Sequence, residues 1–150
     1  MASDFPLYLG SDQSPGEVVD FTPGSSETFA AGALVYYDTG DQRLKKCGAD
    51  PALIMGIALV PKTASTIYAN GKVPVLVLRP DMTICMSGAE TPAETMVGVL
   101  YDILEAASGN WRKDSTTGAT RLIVTRVDIT NGIFYVKFIA ANLQFDAIAS

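Results

Sequence analysis

Two Asn-Gly pairs, at 70–71 and 131–132, constrain the fold of this sequence more than any other feature. Each pair stands between two apolar runs, and Asn-Gly favours the left-handed backbone of a tight hairpin turn. Turn-forming clusters such as 38–41 separate further short apolar runs. The pattern predicts an all-β fold, a compact β-barrel or β-sandwich of short antiparallel strands with at most one short helix.

The individual strands follow from the alternation of apolar residues. Strands are predicted at 29–37, 42–46, 53–59, 64–69, 72–78, 82–86, 121–129 and 133–139. The run 72–78 is apolar on both faces, which indicates a strand covered on both sides. Pro74 has no N–H to donate, so it predicts a sheet edge or a bulge there. In 133–139, Phe134, Val136 and Phe138 alternate with other residues, as expected for one buried face.

Residues 91–107 allow two interpretations. Thr91 to Glu94 has the pattern of a helix start, with Thr91 as the cap and Pro at the first helical position. A long helix would run on to Gly109, but Gly98 and the β-compatible residues after it oppose it. We favour one helical turn followed by a strand from about Val97.

The two ends of the chain differ from its middle. Residues 1–27 contain two loop clusters and an apolar extended patch, Phe5 to Leu9, and are predicted to form an extended N-terminal arm before a β-barrel domain at 28–150. The arm either folds back on its own barrel or lies on a neighbouring subunit. Leu143, Phe145 and Ile148 also lie outside the predicted strands, and this apolar surplus indicates partner subunits.

Composition excludes several classes of protein. The 150 residues contain no histidine and have a formal net charge of −5. Because phosphate binding needs an excess of Lys and Arg, we expect no nucleic-acid partner. The longest apolar stretch, 52–61, is too short to span a bilayer, and the acidic start does not resemble a signal peptide. We therefore expect no membrane partner and synthesis in a reducing cytoplasm.

Catalytic and metal-binding groups are sparse. Three carboxylate pairs are candidates for acid–base catalysis. Asp38 and Asp41 are expected in a solvated turn, and Asp102 and Glu105 are expected to face solvent. In the third pair, Glu90 with Glu94, Glu94 is expected to cap a helix. Cys47 and Cys85 do not form a CxxC motif and are expected to be buried free thiols, with a disulfide between them as the alternative. We predict no catalytic residue, no metal, no cofactor and no enzymatic activity.

Six residues are predicted to contact a partner. The loop at 108–120 holds the only tryptophan beside a cation, a combination enriched in interface hot spots, although the tryptophan could instead pack over the barrel end. Together with the apolar arm, the predicted contact residues are Phe5, Leu7, Tyr8, Leu9, Trp111 and Arg112.

Several apolar segments carry a family resemblance. Over roughly residues 28–140, the chain resembles the small β-barrel decoration proteins of tailed-phage heads, also called cement or head-stabilising proteins. The segments that carry it are Phe29–Val35, Ile54–Ala58, Val73–Pro80 with Met82, Gly98–Tyr101, Trp111–Asp114 and the closing hairpin with Phe138.

The resemblance implies a virion protein on the capsid exterior that clamps neighbouring subunits of the major capsid protein, commonly as a homotrimer. It also implies terminal arms that extend onto the shell, and it brings no catalytic residue. The alternative hypothesis is a carbohydrate- or cell-surface-binding β-sandwich module, for which exposed aromatic side chains would be required.

Overall fold

The chain folds into twelve strands and two single 3-10 turns in a computed structural model that describes residues 7–11, 17–48, 53–63, 71–88, 90–106, 110–113 and 121–145. The strands are β1 (Leu7–Ser11), β2 (Glu17–Phe21), β3 (Leu34–Asp38), β4 (Arg43–Lys46), β5 (Gly56–Ala58), β6 (Val73–Val77), β7 (Met82–Met86), β8 (Leu100–Tyr101), β9 (Ile103–Ala106), β10 (Asn110–Lys113), β11 (Leu122–Asp128) and β12 (Ile133–Phe138). The 3-10 turns are Glu94–Met96 and Ala140–Asn142.

Ten of the strands form two antiparallel sheets. Sheet I has the order β1-β7-β12-β11-β8, and sheet II has the order β2-β6-β5-β3-β4. The remaining strands, β9 and β10, pair only with each other, and β10 lies beside β7. The sheets do not close into a barrel. The all-β prediction is therefore confirmed, with the sandwich as the observed form.

Both sheets contribute side chains to one core. Sheet I supplies Ile84, Phe134 and Val136, and sheet II supplies Leu44 and Val75, all with no exposed surface. These residues belong to a single continuous hydrophobic cluster. Because each sheet must bury one apolar face, the two sheets stack on each other and share this core.

The N-terminal segment completes both sheets at their edges. β1 pairs with β7 in sheet I, and β2 pairs with all five residues of β6 in sheet II. The described parts of the predicted arm, 1–27, therefore pair with strands of the same chain. The division of the chain at residue 27 stays a prediction.

The position of β6 corrects the expectation for Pro74. β6 is an internal strand because it lies between β2 and β5 in sheet II. β5 has already ended at Ala58 where Pro74 stands, and there the Leu59 N–H donates to the Pro74 carbonyl oxygen at 3.0 Å. The missing proline N–H thus falls beyond the end of β5, so an internal strand tolerates it. The prediction that 73–77 is covered on both faces is confirmed.

Other predicted elements are shorter than expected. The strand predicted from Phe29 begins at Leu34, and the strand predicted at 53–59 is reduced to Gly56–Ala58. The predicted strand at 64–69 lies outside the described residues. In 91–107 the chain forms one 3-10 turn and then β8 and β9, so the short-turn interpretation is confirmed. Ala93, rather than Thr91, precedes the turn, and it provides no side-chain cap.

The hairpin predicted at 131–132 is present with a different turn. Asp128 pairs with Ile133 across a loop of four residues, rather than two. The Asp128 carboxylate accepts hydrogen bonds from the backbone N–H and the side-chain Nδ2 of Asn131, at 3.1 and 2.8 Å. Gly132 has a φ of +70°, whereas Asn131 is outside the left-handed region. The aspartate therefore shapes this loop together with the glycine.

The C-terminal segment packs against sheet II and hydrogen-bonds to β3. The side-chain amide of Gln144 accepts a hydrogen bond from the Tyr37 N–H and donates one to the Tyr37 carbonyl, both at 2.8 Å. Leu143 is fully buried in the core. The expectation that Leu143 is surplus apolar surface for partners is therefore wrong, because the segment runs parallel to Ile54 and enters the core there. Phe145 stays partly exposed beside Phe21, and Ile148 lies outside the described residues.

We predict that the Gln144 amide stabilises the fold by hydrogen-bonding the main-chain N–H and carbonyl of Tyr37. Gln144→Leu keeps the volume but leaves the Tyr37 N–H and carbonyl without this partner, so the free energy of unfolding should fall by about 2 kcal/mol. Urea unfolding measures it. In Gln144→Glu the ionised carboxyl cannot donate to the Tyr37 carbonyl, and the deficit should shrink as pH falls and the carboxyl is protonated. A Gln144→Leu midpoint equal to wild type would contradict the prediction.

A second prediction concerns the close approach of β5 and β6. A Cβ added to Gly56 would stand 2.2 Å from the backbone oxygen of Leu76 and 2.6 Å from Val75 Cγ1. Because the backbone of an internal strand cannot move away, Gly56→Ala should lower the free energy of unfolding by about 3 kcal/mol. Gly48→Ala is the matched control, since nothing lies within 4 Å of its Cβ position. Equal thermal midpoints for the two variants would refute this account.

Candidate functional site

A β-bulge in β11 determines what the outer face of sheet I presents. Val124 pairs with Val136 and Arg126 pairs with Tyr135, so one extra residue, Thr125, lies between the paired positions. In a regular ladder Arg126 would oppose Phe134 and point into the core. The bulge places Arg126 on the outer face instead. The Thr125 hydroxyl supports it by donating to the Tyr135 carbonyl at 3.1 Å.

Arg126 stacks on its cross-strand partner. Its guanidinium carbon lies 3.9 Å from the centre of the Tyr135 ring, a cation–π contact worth about 0.5–1 kcal/mol at an exposed site. The same register row continues from Tyr135 to Cys85 on β7 and to Leu7 on β1. We call these four positions the outer row. It crosses sheet I from β11 to β1, the strand supplied by the N-terminal segment.

A shallow groove lies at the Arg126 end of the outer row. This outer groove has a volume of about 280 Å³ and is lined by Glu94, Arg126, Val127, Asp128, Ile129 and Tyr135. The 3-10 turn supplies Glu94, and the end of the β11–β12 hairpin supplies Asp128 and Ile129. The groove therefore combines an aromatic ring, a cation, two carboxylates and an exposed aliphatic side chain.

The charged groups of the outer groove differ in how they are engaged. Hydrogen bonds from the Asn131 side chain, and then from its backbone N–H, lower the pKa of the Asp128 carboxyl, with a smaller contribution from Arg126. In the part of the chain that the structure describes, neither the Arg126 guanidinium nor the Glu94 carboxylate has an ion pair or a hydrogen bond. The groove thus keeps one cation and one anion open to solvent.

The sequence-predicted contact residues lie on two strands that adjoin β7. Leu7, Tyr8 and Leu9 are on β1, which hydrogen-bonds to β7. Trp111 and Arg112 are on β10, which lies beside β7. Phe5 lies outside the described residues. Two distant parts of the chain are therefore brought to the same strand of sheet I, and their role as contact residues stays a prediction.

The carboxylate pairs singled out from the sequence have different surroundings. Asp38 and Asp41 share Lys45 as an ion-pair partner in the β3–β4 turn, and the Lys45 hydrogen bond is the main cause of the lowered pKa of Asp38. Asp102 was expected to face solvent, and this is wrong. Its residue is only 4% exposed, because it lies between two strands, β8 and β9, that contribute Tyr101 and Ile103 to the core.

The two cysteines are free and buried. This agrees with the expectation of buried thiols and not with the disulfide alternative. Cys47 belongs to the core, whereas Cys85 is on the outer face of sheet I, in the outer row. Burial raises the pKa of the Cys85 thiol, which favours its protonated form.

Among the described residues, no group of three or more potential ligands could hold a metal ion.

No family model matches the sequence, and no curated protein matches it. In the part of the chain covered by the structure, no helix has the length and apolar character needed to cross a membrane.

The outer groove is not evident as a site from the sequence. Arg126 was not singled out, and Glu94 was expected to have only a capping role. The sequence carries one signal, because the consecutive polar residues Thr125 and Arg126 separate the apolar residues 124 and 127, and a step of three breaks the two-residue alternation of a strand. Such a step indicates a bulge, which then predicts that Arg126 faces outwards.

We predict that Asp128 stabilises the groove in a pH-dependent way. Its folded-state pKa is below the unfolded value of about 3.9, so its contribution is present above that pH and is lost as pH falls through the folded-state pKa. Asp128→Asn should lower the urea midpoint at pH 7, and the difference should shrink at pH 2.5. Glu94→Gln, which removes a carboxylate with no such bonds, should leave both midpoints unchanged. A pH-independent Asp128→Asn effect would contradict this prediction.

Proposed function

We propose that this protein is a structural virion protein that binds the outer surface of a tailed-phage capsid and stabilises it by clamping neighbouring subunits of the major capsid protein. It acts as a homotrimer, without catalysis or a cofactor. The resemblance to decoration proteins supports the proposal, and its segments 29–35, 54–58 and 73–80 include the start of β3 and the whole of β5 and β6 in sheet II. The resemblance therefore concerns the buried scaffold and not a contact surface.

The observation that carries the proposal is the course of the N-terminal segment along the rims of both sheets. β1 is one of the two edge strands of sheet I, and β2 is one of the two edge strands of sheet II. On β2, Glu17, Val18 and Asp20 are exposed, Val18 by 55%. An edge strand presents main-chain groups and side chains together, which suits contact with another protein.

A capsid clamp also has modest physical requirements. It needs a stiff scaffold, and the two sheets share one continuous core. Individual contacts can be weak, because a trimer bound to a repeating shell gains affinity from effective concentration. A closed trimer also agrees with the symmetry expected of homo-oligomers.

The alternative, a carbohydrate- or cell-surface-binding module, needs an aromatic ring open to a sugar. Among the described residues, Phe145 is 43% exposed and lies beside Phe21, and Tyr135 lines the outer groove. One face of the Tyr135 ring is covered by the Arg126 guanidinium at 3.9 Å, which leaves less of the ring for stacking. We therefore place the capsid proposal first and the carbohydrate module second.

Co-sedimentation tests the proposal. Undecorated heads assembled from a tailed-phage major capsid protein are mixed with micromolar protein and pelleted. We expect saturable co-pelleting and greater resistance of the decorated heads to heat, with heads already saturated by unlabelled protein as the control. Light scattering should give three times 15.9 kDa for the bound form after release. Pelleting no greater than without heads, together with glycan binding on an array, would favour the alternative.

A further inference from the structure

We propose that the outer groove grips an extended segment of the capsid protein that offers a carboxylate to Arg126 and a basic side chain to Glu94. The inference rests on the proposed function and specifies its contact. It follows from two opposite charges that are held in one groove and are both open to solvent.

Arg126 is positioned in advance to receive a carboxylate. The bulge at Thr125 directs it outwards, and stacking at 3.9 Å on Tyr135 restricts its side chain. Tyr135 itself is fixed in β12 between β11 and β7. A guanidinium held in this way still has N–H donors at its edge, and these match the two oxygens of a carboxylate. Less side-chain entropy remains to be lost on binding.

Glu94 supplies the opposite charge. Its residue is exposed on the 3-10 turn, and no described residue bonds to its carboxylate. Asp128 is different, because its two oxygens already accept hydrogen bonds from Asn131, and its charge interacts with Arg126 more weakly than these bonds do. The groove therefore has one available cation and one available anion, and a partner with the reverse pair is complementary to both.

The apolar side chains and the size of the groove indicate a protein segment as the occupant. Ile129 is 52% exposed, and Val127 lies partly buried beside it. Covering Ile129 would remove apolar surface from water and exclude solvent from the neighbouring charges, which is the arrangement of an interface hot spot. A volume of about 280 Å³ is at the lower limit for a small-molecule pocket, but it accommodates a few side chains of an extended chain.

Charge reversal tests the inference in the head-binding assay. Arg126→Glu should weaken binding at least tenfold, as expected for a central interface arginine, and Glu94→Lys should also weaken it. Arg126→Lys should have an intermediate effect, since lysine keeps the charge but not the planar fork. Arg43→Glu is the matched control, because it is an exposed arginine on sheet II with the same charge change. It should bind as wild type does.

Separate outcomes distinguish the two proposals. If wild type fails to bind heads, both proposals fall. If wild type binds and Arg126→Glu binds equally well, only the groove contact is wrong. Urea unfolding of each variant checks the fold, and Arg126→Gln replaces any charge-reversed variant that does not fold. Loss of trimer mass or of glycan binding in Arg126→Gln, with head binding unchanged, would assign the groove to another occupant and overturn the inference.

Discussion

The crossing of the chain from sheet II to sheet I at 78–81 is the constraint on which the rest of the sandwich depends. β6 and β7 are consecutive in sequence, yet each is a hydrogen-bonded strand of a different sheet. The corner is fixed by a hydrogen bond from the Leu78 N–H to the Met55 carbonyl and by another from the Met82 N–H to the Arg79 carbonyl. Every other strand of the two sheets is then added directly or indirectly to β6 or β7.

The two N-terminal strands illustrate this dependence. They are separated by only a few residues, but β2 pairs with β6 in sheet II and β1 pairs with β7 in sheet I. The N-terminal segment therefore also passes from one sheet to the other, at the edges of the sandwich. The same arrangement explains why an internal strand contains Pro74. The strand is closed on one side by β2, and on the other side β5 is too short to need the missing donor.

Local signals predicted much of the fold. The alternation in 133–139 and the apolar run at 82–86 gave strands close to β12 and β7, because such patterns record which face is buried. The pairing of β2 with β6 and the contact of Gln144 with Tyr37 could not be predicted, since they join residues far apart in sequence. The outer groove was missed for a related reason. A one-residue bulge reverses the orientation of every later side chain on the strand. The burial of Asp102 likewise depends on how β8 and β9 pack, which the residues around position 102 do not determine.

The bond between Gln144 and Tyr37 has a consequence for how the chain reaches its folded state. The two residues are 107 positions apart, so the main-chain N–H and carbonyl of Tyr37, which lie beyond the end of β5, lack this partner until residue 144 has been synthesised and has reached them. Contacts this distant in sequence slow folding, because loop closure comes before any gain in stability. A nascent chain therefore leaves this N–H and this carbonyl exposed for most of its synthesis, and a truncation just before Gln144 would leave both available to other chains.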